Sequence, residues 1–212
     1  MPGGIEPTVA NYVSFVGFFY PIFIVLFLVI ASIFNGTILK GLIYLGGLGL
    51  STVIWFISGS LAGGNTSSED HEPPSSYCYI LNYGAGTNSF INLDSLITFF
   101  TLTYLFIPML ESNQVNPYII TILLLGSFYN MYVQWSLGCL HSSASLLVGA
   151  CLGILFGGLW FALFWATDNG KNRKFLFYDE LFSNNVVCSK PKKQTFKCSV
   201  YKNGQLVSRN VV

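Results

Sequence analysis

Three polar side chains recur at helical spacing within an otherwise apolar part of the sequence. Asn130, Gln134 and His141 are four and seven residues apart, so on one α-helix they share a face. Asp94, near the start of the preceding apolar run, is expected at a similar depth. In an apolar environment such groups can form a polar pathway or an acid–base site. The structural alternative, hydrogen bonds that hold helices together, is favoured because only Asn130 lies near the middle of its run.

Small residues form a second pattern with a different consequence. Ser145, Gly149, Gly153 and Gly157 recur at every fourth position, and Gly158, Ala162 and Ala166 form a second row. Side chains this small let helix backbones approach closely. The rows therefore predict helix packing, either against another segment of this chain or against a second copy.

Motifs for known enzyme chemistry are absent from the sequence. It has no Gly-rich phosphate loop and no Gly-x-Ser-x-Gly element, and its two histidines are too few for a di-iron oxygenase. Cys188 and Cys198 have no further Cys or His nearby to complete a zinc site. We expect no enzymatic activity, no cofactor and no metal.

Composition and charge indicate a membrane protein. The mean hydropathy is +0.58 and only 9% of residues are charged, which leaves too little polar surface for a water-soluble fold. Residues 1–170 hold one base, Lys40, against seven acids, whereas residues 171–212 hold nine bases against two acids. Because Lys and Arg resist translocation, the basic tail is expected on the cytosolic side.

The apolar runs predict an all-α integral membrane protein with about five transmembrane helices in residues 1–170. About 20 residues cross a bilayer as a helix. Pro21 is expected to kink the first span, and Lys40 to reach the headgroups from the start of the second. Residues 63–90 are expected to form an extramembrane loop. The predicted spans are 12–34, 38–62, 91–110, 118–140 and 144–166.

Five spans place Lys40 and the tail on one face, which we assign to the cytosol. The acidic 63–90 loop and His141 then lie on the opposite face. Cys78 and Cys139 fall on that side, where an oxidising lumen would allow a disulfide between them. Cys188 and Cys198 fall in the cytosolic tail, where free thiols are the default.

The basic tail, residues 171–212, changes to the alternation of a β-strand. Asn203-Gly204 between two alternating runs predicts a hairpin of about Gln194–Tyr201 and Gln205–Val211. A lone hairpin is marginal in water, so it should pack on residues 175–182, on a second copy of itself or on a partner protein. The residues predicted to bind this partner are Lys190, Lys192, Lys193, Phe196, Lys197, Tyr201, Asn203 and Gly204.

The run VCSKPKKQTFKCSVYKNGQLVS, residues 187–208, resembles the C-terminal segment of small multi-span proteins of large icosahedral double-stranded DNA viruses, the chlorovirus and phycodnavirus group. These viruses have an internal membrane beneath the capsid. The resemblance implies a minor capsid protein in the virion's internal membrane, derived from host endomembrane, with its tail facing the capsid. It implies no catalytic residue.

The expected function is therefore structural. The partners would be the lipid bilayer and capsid or other membrane-adjacent structural proteins, with self-association left open and no nucleic acid. The alternative is a small-solute or ion transporter or channel built on Asp94, Asn130, Gln134 and His141.

Overall fold

The computed structural model describes residues 8–62, 91–111, 115–139, 143–167, 176–177, 197–202 and 205–211. All secondary structure in the described residues up to Thr167 is helical. The elements are α1 (Val9–Phe18), α2 (Tyr20–Phe34), α3 (Ile38–Ala62), α4 (Leu93–Glu111), α5 (Pro117–Ser136), α6 (Ser143–Thr167), β1 (Lys197–Lys202) and β2 (Gln205–Val211).

The helices expose many large apolar side chains and bury several polar ones beside an apolar core. Large side chains such as Phe27, Leu50 and Leu159 are more than half exposed, while hydroxyl and amide groups lie inside together with aromatic and aliphatic ones. A largely apolar exterior is unlike that of a water-soluble bundle and is compatible with an integral membrane protein. Buried polar and charged side chains are Ser32, Lys40, Ser51, Ser95, Thr98, Thr101, Thr103, Ser127, Asn130, Gln134 and Ser145.

Three of the described helices, α3, α4 and α6, are long and apolar enough to cross a membrane. The bent pair α1 and α2 would make a fourth span if counted as one. Helix α5 has 20 residues but is not among them, since Asn130 and Gln134 lower its hydropathy. The count of five spans stays a prediction.

The expected single helix over 12–34 is broken rather than only kinked. Helix α1 ends at Phe18, and α2 starts at Tyr20 with its axis bent by 56°. Pro21 lies in the first turn of α2, where its missing N–H is tolerated. The same residue could not continue α1, because its ring clashes with the carbonyl four residues earlier.

Other boundaries differ from the expected ones by a few residues. Helix α5 stops at Ser136 instead of 140, since Gly138 adopts a φ of 66° that ends it. The turn between α2 and α3 contains Gly36 with a φ of 67°, as its Asn-Gly sequence favours.

An aromatic core lies at the end of the bundle where α2 and α4 terminate. Tyr104 stacks on Phe100 at 6.0 Å between ring centroids and contacts Tyr44 at 5.7 Å. Phe177, from the chain beyond α6, meets Tyr104 edge to face at 6.4 Å. Lys40 is only 6% exposed at this end, so its side chain packs inside the protein instead of extending along the lipid as expected.

Strands β1 and β2 pair antiparallel, and their backbone pairing alone is described. Cys198 pairs with Asn210 and Val200 with Ser208, followed by a register shift to Tyr201 opposite Leu206.

Candidate functional site

The start of α4 is held in place by its neighbours. The Asn92 side-chain oxygen accepts from the Ser95 backbone N–H at 2.8 Å and thereby caps the helix. The Asn92 backbone N–H donates to the Ser145 carbonyl of α6 at 3.1 Å. On the other side, the Trp55 indole of α3 donates to the Ile91 carbonyl at 2.8 Å. Two neighbouring helices, α3 and α6, therefore fix the position of the polar side chains at the start of α4.

Gln134 of α5 is the centre of a hydrogen-bond network. Its side-chain nitrogen donates to Asp94 Oδ2 at 2.5 Å and to Asn130 Oδ1 at 3.3 Å. Its side-chain oxygen accepts from Asn92 Nδ2 at 2.6 Å. Gln134 is 2% exposed, so both of its N–H groups and its carbonyl are engaged in a site shielded from solvent.

Asn130 extends this network to the break between α1 and α2. Its side-chain nitrogen donates to the Gly17 carbonyl at 2.9 Å and, at 3.4 Å, to that of Phe18. In an unbroken helix the Gly17 carbonyl would accept from the N–H four residues later, but that residue is Pro21. The fully buried amide of Asn130 replaces the missing donor.

Two tyrosines form hydrogen bonds between α5 and the helices on either side of this break. The Tyr129 hydroxyl donates to the Val13 carbonyl at 3.1 Å, and its ring lies over Gly17. The Tyr20 hydroxyl donates to the Leu123 carbonyl at 3.2 Å, and its ring lies over Gly126. Each ring occupies the space that a Cβ atom at the facing glycine would need.

Chemically, this arrangement is a connector between helices. The described amide groups of Asn92, Asn130 and Gln134 bond to one another, to Asp94 and to backbone carbonyls. Within the described ranges, no group of three or more His, Cys, Asp or Glu residues could hold a metal ion.

The structure thus brings together Asp94, Asn130 and Gln134, three of the four residues of the expected polar stripe. His141 lies outside the described residues. The sequence reasoning missed Asn92, although an Asn just before an apolar run is a helix N-cap signature. It also missed the Gly17 carbonyl, which Pro21 four residues later could have indicated.

The predicted packing row on α6 faces α4 of the same chain. A Cβ atom at Gly153 would lie 2.6 Å from the Leu96 carbonyl oxygen, and one at Gly157 would lie 2.7 Å from that of Phe100. At Gly149 it would collide with the Asn92 carbonyl oxygen, and the Ser145 carbonyl is the acceptor for the Asn92 N–H. In the second row, Ala162 and Ala166 are exposed.

The cysteines and the predicted tail residues are only partly described. Cys139, just beyond α5, is disulfide-bonded, and its expected partner Cys78 lies outside the described residues, as does Cys188. Cys151 of α6 is a free thiol on an exposed face.

Lys197 and Tyr201 belong to β1, opposite Val211 and Leu206. The remaining predicted partner-binding residues, Lys190, Lys192, Lys193, Phe196, Asn203 and Gly204, lie outside the described residues.

Comparison of the chain with protein-family models, with curated proteins and with solved structures finds no match.

Proposed function

We propose that the protein is a structural membrane protein: a bundle of about five transmembrane helices that attaches a membrane to an adjacent protein layer through its basic C-terminal tail. The observation that carries this proposal is the hydrogen-bond network of Gln134 and Asn130. These buried amides bond to Asp94, Asn92 and the Gly17 carbonyl, and so join α1, α4 and α5. A rigid anchor needs such connections between helices.

The surface of α5 supports its assignment as a fifth span. Its large exposed side chains form an apolar and aromatic stripe: Tyr118, Ile122, Leu125, Phe128, Tyr132 and Trp135. The stripe begins and ends with amphipathic aromatic residues, which membrane interfaces favour. From Tyr118 to Trp135 a helix rises about 26 Å, close to the hydrocarbon thickness of a thin bilayer. The polar side chains that lower the hydropathy of α5 point into the bundle.

The lengths of α1 and α2 support a single crossing by the bent pair. The 15 residues of α2 span about 22 Å, short of a bilayer of about 30 Å. The ten residues of α1, inclined by 56°, add about 8 Å along the same direction. Together they match the hydrocarbon thickness.

The disulfide at Cys139 supports the proposed orientation independently of the charge distribution. Disulfides persist in oxidising compartments, so the end of α5 that carries Cys139 belongs on the luminal side. The opposite end of the bundle, where α6 terminates, then faces the cytosol. This is the side that the basic residues of the tail require.

The partner of the tail is proposed from its charge and from the viral resemblance of residues 187–208. Residues 178–212 carry six bases against two acids, which suits an acidic protein surface. In a virion of a large icosahedral double-stranded DNA virus, that surface would belong to the capsid lattice around the internal membrane, and the protein would be a minor capsid protein.

Removal of Gln194–Val212 tests this function. The truncated protein should insert into the membrane normally but fail to copurify with assembled particles. Gly204→Val should have the same effect if Asn203-Gly204 forms the predicted turn, because valine does not tolerate positive φ. Gly49→Val is the matched control, since a Cβ atom at Gly49 meets no atom of the described residues within 4 Å. Truncated protein that still incorporates at the normal level would refute the tail as the attachment site.

Two observations favour transport as the second candidate. The broken span places the Gly17 and Phe18 carbonyls near the polar cluster, as in the discontinuous helices of transporters. In addition, the buried Ser95 hydroxyl has no hydrogen-bond partner in the described part of the chain. Ion and solute flux through liposomes containing the purified protein decides between the two functions. A flux that Gln134→Leu abolishes would establish transport; a structural anchor shows no flux above that of empty liposomes.

A further inference from the structure

The end of α5 is closed by a cap that contains the disulfide-bonded cysteine. Gly138 adopts a φ of 66°, and its N–H donates to the Trp135 carbonyl at 3.2 Å. The N–H of the next residue, Cys139, donates to the Gln134 carbonyl at 3.1 Å. These two bonds around a left-handed glycine make a Schellman motif. Cys139 is also disulfide-bonded, so the residue that completes the cap is a cross-linked one.

The backbone carbonyl of Gln134 depends on this cap. In a continuing helix it would accept from the N–H of residue 138, but the Gly138 N–H donates to Trp135 instead. The Cys139 N–H supplies the donor that the end of the helix removes. Because Gln134 is buried, loss of that bond would leave an acceptor without a partner in the interior of the bundle.

The side chain of the same residue is the centre of the polar network. It bonds to Asp94 and Asn92 of α4, and through Asn130 it is connected to the break between α1 and α2. Asn92 in turn caps α4 by accepting from the Ser95 N–H. The last turn of α5 fixes where the Gln134 side chain begins. The cap, the disulfide and the start of α4 are therefore connected through one residue.

We propose that the Cys139 disulfide is a redox-sensitive switch for the order of this network. With the disulfide intact, residue 139 is held beside the end of α5 and its N–H stays on the Gln134 carbonyl. A dithiol supplies two electrons and two protons, which break the S–S bond into two thiols, and the dithiol itself closes to a disulfide. Residue 139 then regains the freedom that the cross-link removes. The cap opens more often, and the Gln134 side chain loses its fixed position.

This regulation deepens the proposed anchoring function and rests on it, since a rigid bundle is the working state of an anchor. In the proposed orientation, Cys139 lies at the luminal end, where an oxidising compartment preserves the disulfide and keeps the network ordered. A reducing compartment at that end opens the switch. The buried cluster around Tyr104 and Phe177 at the opposite end includes no cysteine among its described members, so it stays packed in both states.

Amide hydrogen exchange of the purified full-length protein in mild detergent tests the switch, because exchange reports local opening. Reduction of the wild type with dithiothreitol should speed exchange at the end of α5 and at the start of α4, where the Ser95 N–H depends on Asn92. The expected rise is on the order of tenfold, the effect of losing about one hydrogen bond. Exchange around Tyr104 is the internal reference and should not change.

Three variants separate the disulfide from the cap. Cys139→Ser should exchange fast at both places without reductant and should not respond to it there. Cys151→Ser, which removes the free thiol of α6, is the matched control and should behave as the wild type. Gly138→Ala places a side chain at positive φ and so disrupts the cap. It should speed exchange at the start of α4 even while non-reducing gels show the disulfide intact.

Faster exchange at Cys139 alone, with the start of α4 unchanged, would overturn the coupling between the disulfide and the network. The same exchange in oxidised and reduced wild type would overturn the switch. An equal rise in Cys151→Ser would indicate general loosening of the bundle and would overturn it as well. None of these results bears on recruitment through the tail, which removal of Gln194–Val212 tests separately.

Discussion

The Asn130 side chain donates a hydrogen bond across 2.9 Å to the Gly17 carbonyl oxygen, 113 residues earlier in the chain. Pro21 leaves this oxygen without its helical donor. The bond therefore places a donor from α5 at the break between α1 and α2. Through Gln134 this bond is connected to Asp94 and the start of α4.

Asn130→Leu should destabilise the protein by about 1–3 kcal/mol, because the Gly17 carbonyl is left buried without a partner. Unfolding of the purified protein in mixed micelles measures the loss. Ser127→Ala is the control: among the described residues, the Ser127 hydroxyl bonds to the Leu123 carbonyl of its own helix and to no other helix, so its loss should cost less.

Pro21→Ala should reduce the cost of Asn130→Leu, since alanine restores a backbone N–H that can serve the Gly17 carbonyl. The double-mutant cycle measures this coupling directly. If the two substitutions have additive effects, the amide of Asn130 does not replace the proline's missing donor.

Gly153→Ala should destabilise the contact between α4 and α6 by about 1–3 kcal/mol, because its Cβ atom would lie 2.6 Å from the Leu96 carbonyl oxygen. Gly158→Ala is the matched control on the same helix. Its Cβ atom meets only Ile107 Cδ1, at an ordinary 3.8 Å. Both substitutions gain the same helix propensity, so their difference in thermal stability isolates packing. Equal stability of the two variants would contradict the close approach of the backbones.

Leu125→Arg should impair membrane insertion if α5 is the fifth span. Leu125 is 65% exposed halfway along the helix, where a charged residue facing lipid costs about 2.5–3.5 kcal/mol. Tyr118→Arg, in the first turn of α5, should be tolerated because arginine there can reach the headgroups. The yield of carbonate-resistant membrane protein measures both. Normal insertion of Leu125→Arg would show that this face of α5 does not contact the hydrocarbon.

The polar cluster could be predicted in part because its members differ from their surroundings. Asn130 and Gln134 are conspicuous in an apolar run, and helical spacing puts them on one face. A backbone carbonyl that lacks its helical donor, in contrast, has no distinctive residue type that the sequence would reveal. The Gly17 carbonyl becomes available only where the chain bends, and the sequence does not specify the 56° angle at which α1 and α2 meet.

The core at the opposite end shows a different limit of sequence reasoning. Leu176 and Phe177 lie in a run of four apolar and aromatic residues, 175–178, which is too short to show a helical or strand period. Their burial depends on a cluster of residues from α2, α3, α4 and α6, which only the packed bundle brings together. Likewise, the glycine row of α6 predicts close packing, but the choice of α4 over a second copy is set by the whole bundle.

Two independent features predict the orientation of the bundle: the basic tail favours the cytosol, and the Cys139 disulfide favours an oxidising lumen for the other end. In sealed microsomes, external protease should therefore remove the tail and leave the 63–90 loop intact. A membrane-impermeant reductant should leave the Cys139 disulfide unreduced until detergent opens the vesicles, with Cys139→Ser marking the mobility of the reduced form on non-reducing gels. The two readouts probe opposite ends of the bundle, so an inverted protein would fail both. Cleavage within Ser67–Ser76 in sealed vesicles, or reduction of the disulfide there, would reverse the orientation and place the tail in the lumen, away from any cytosolic protein layer.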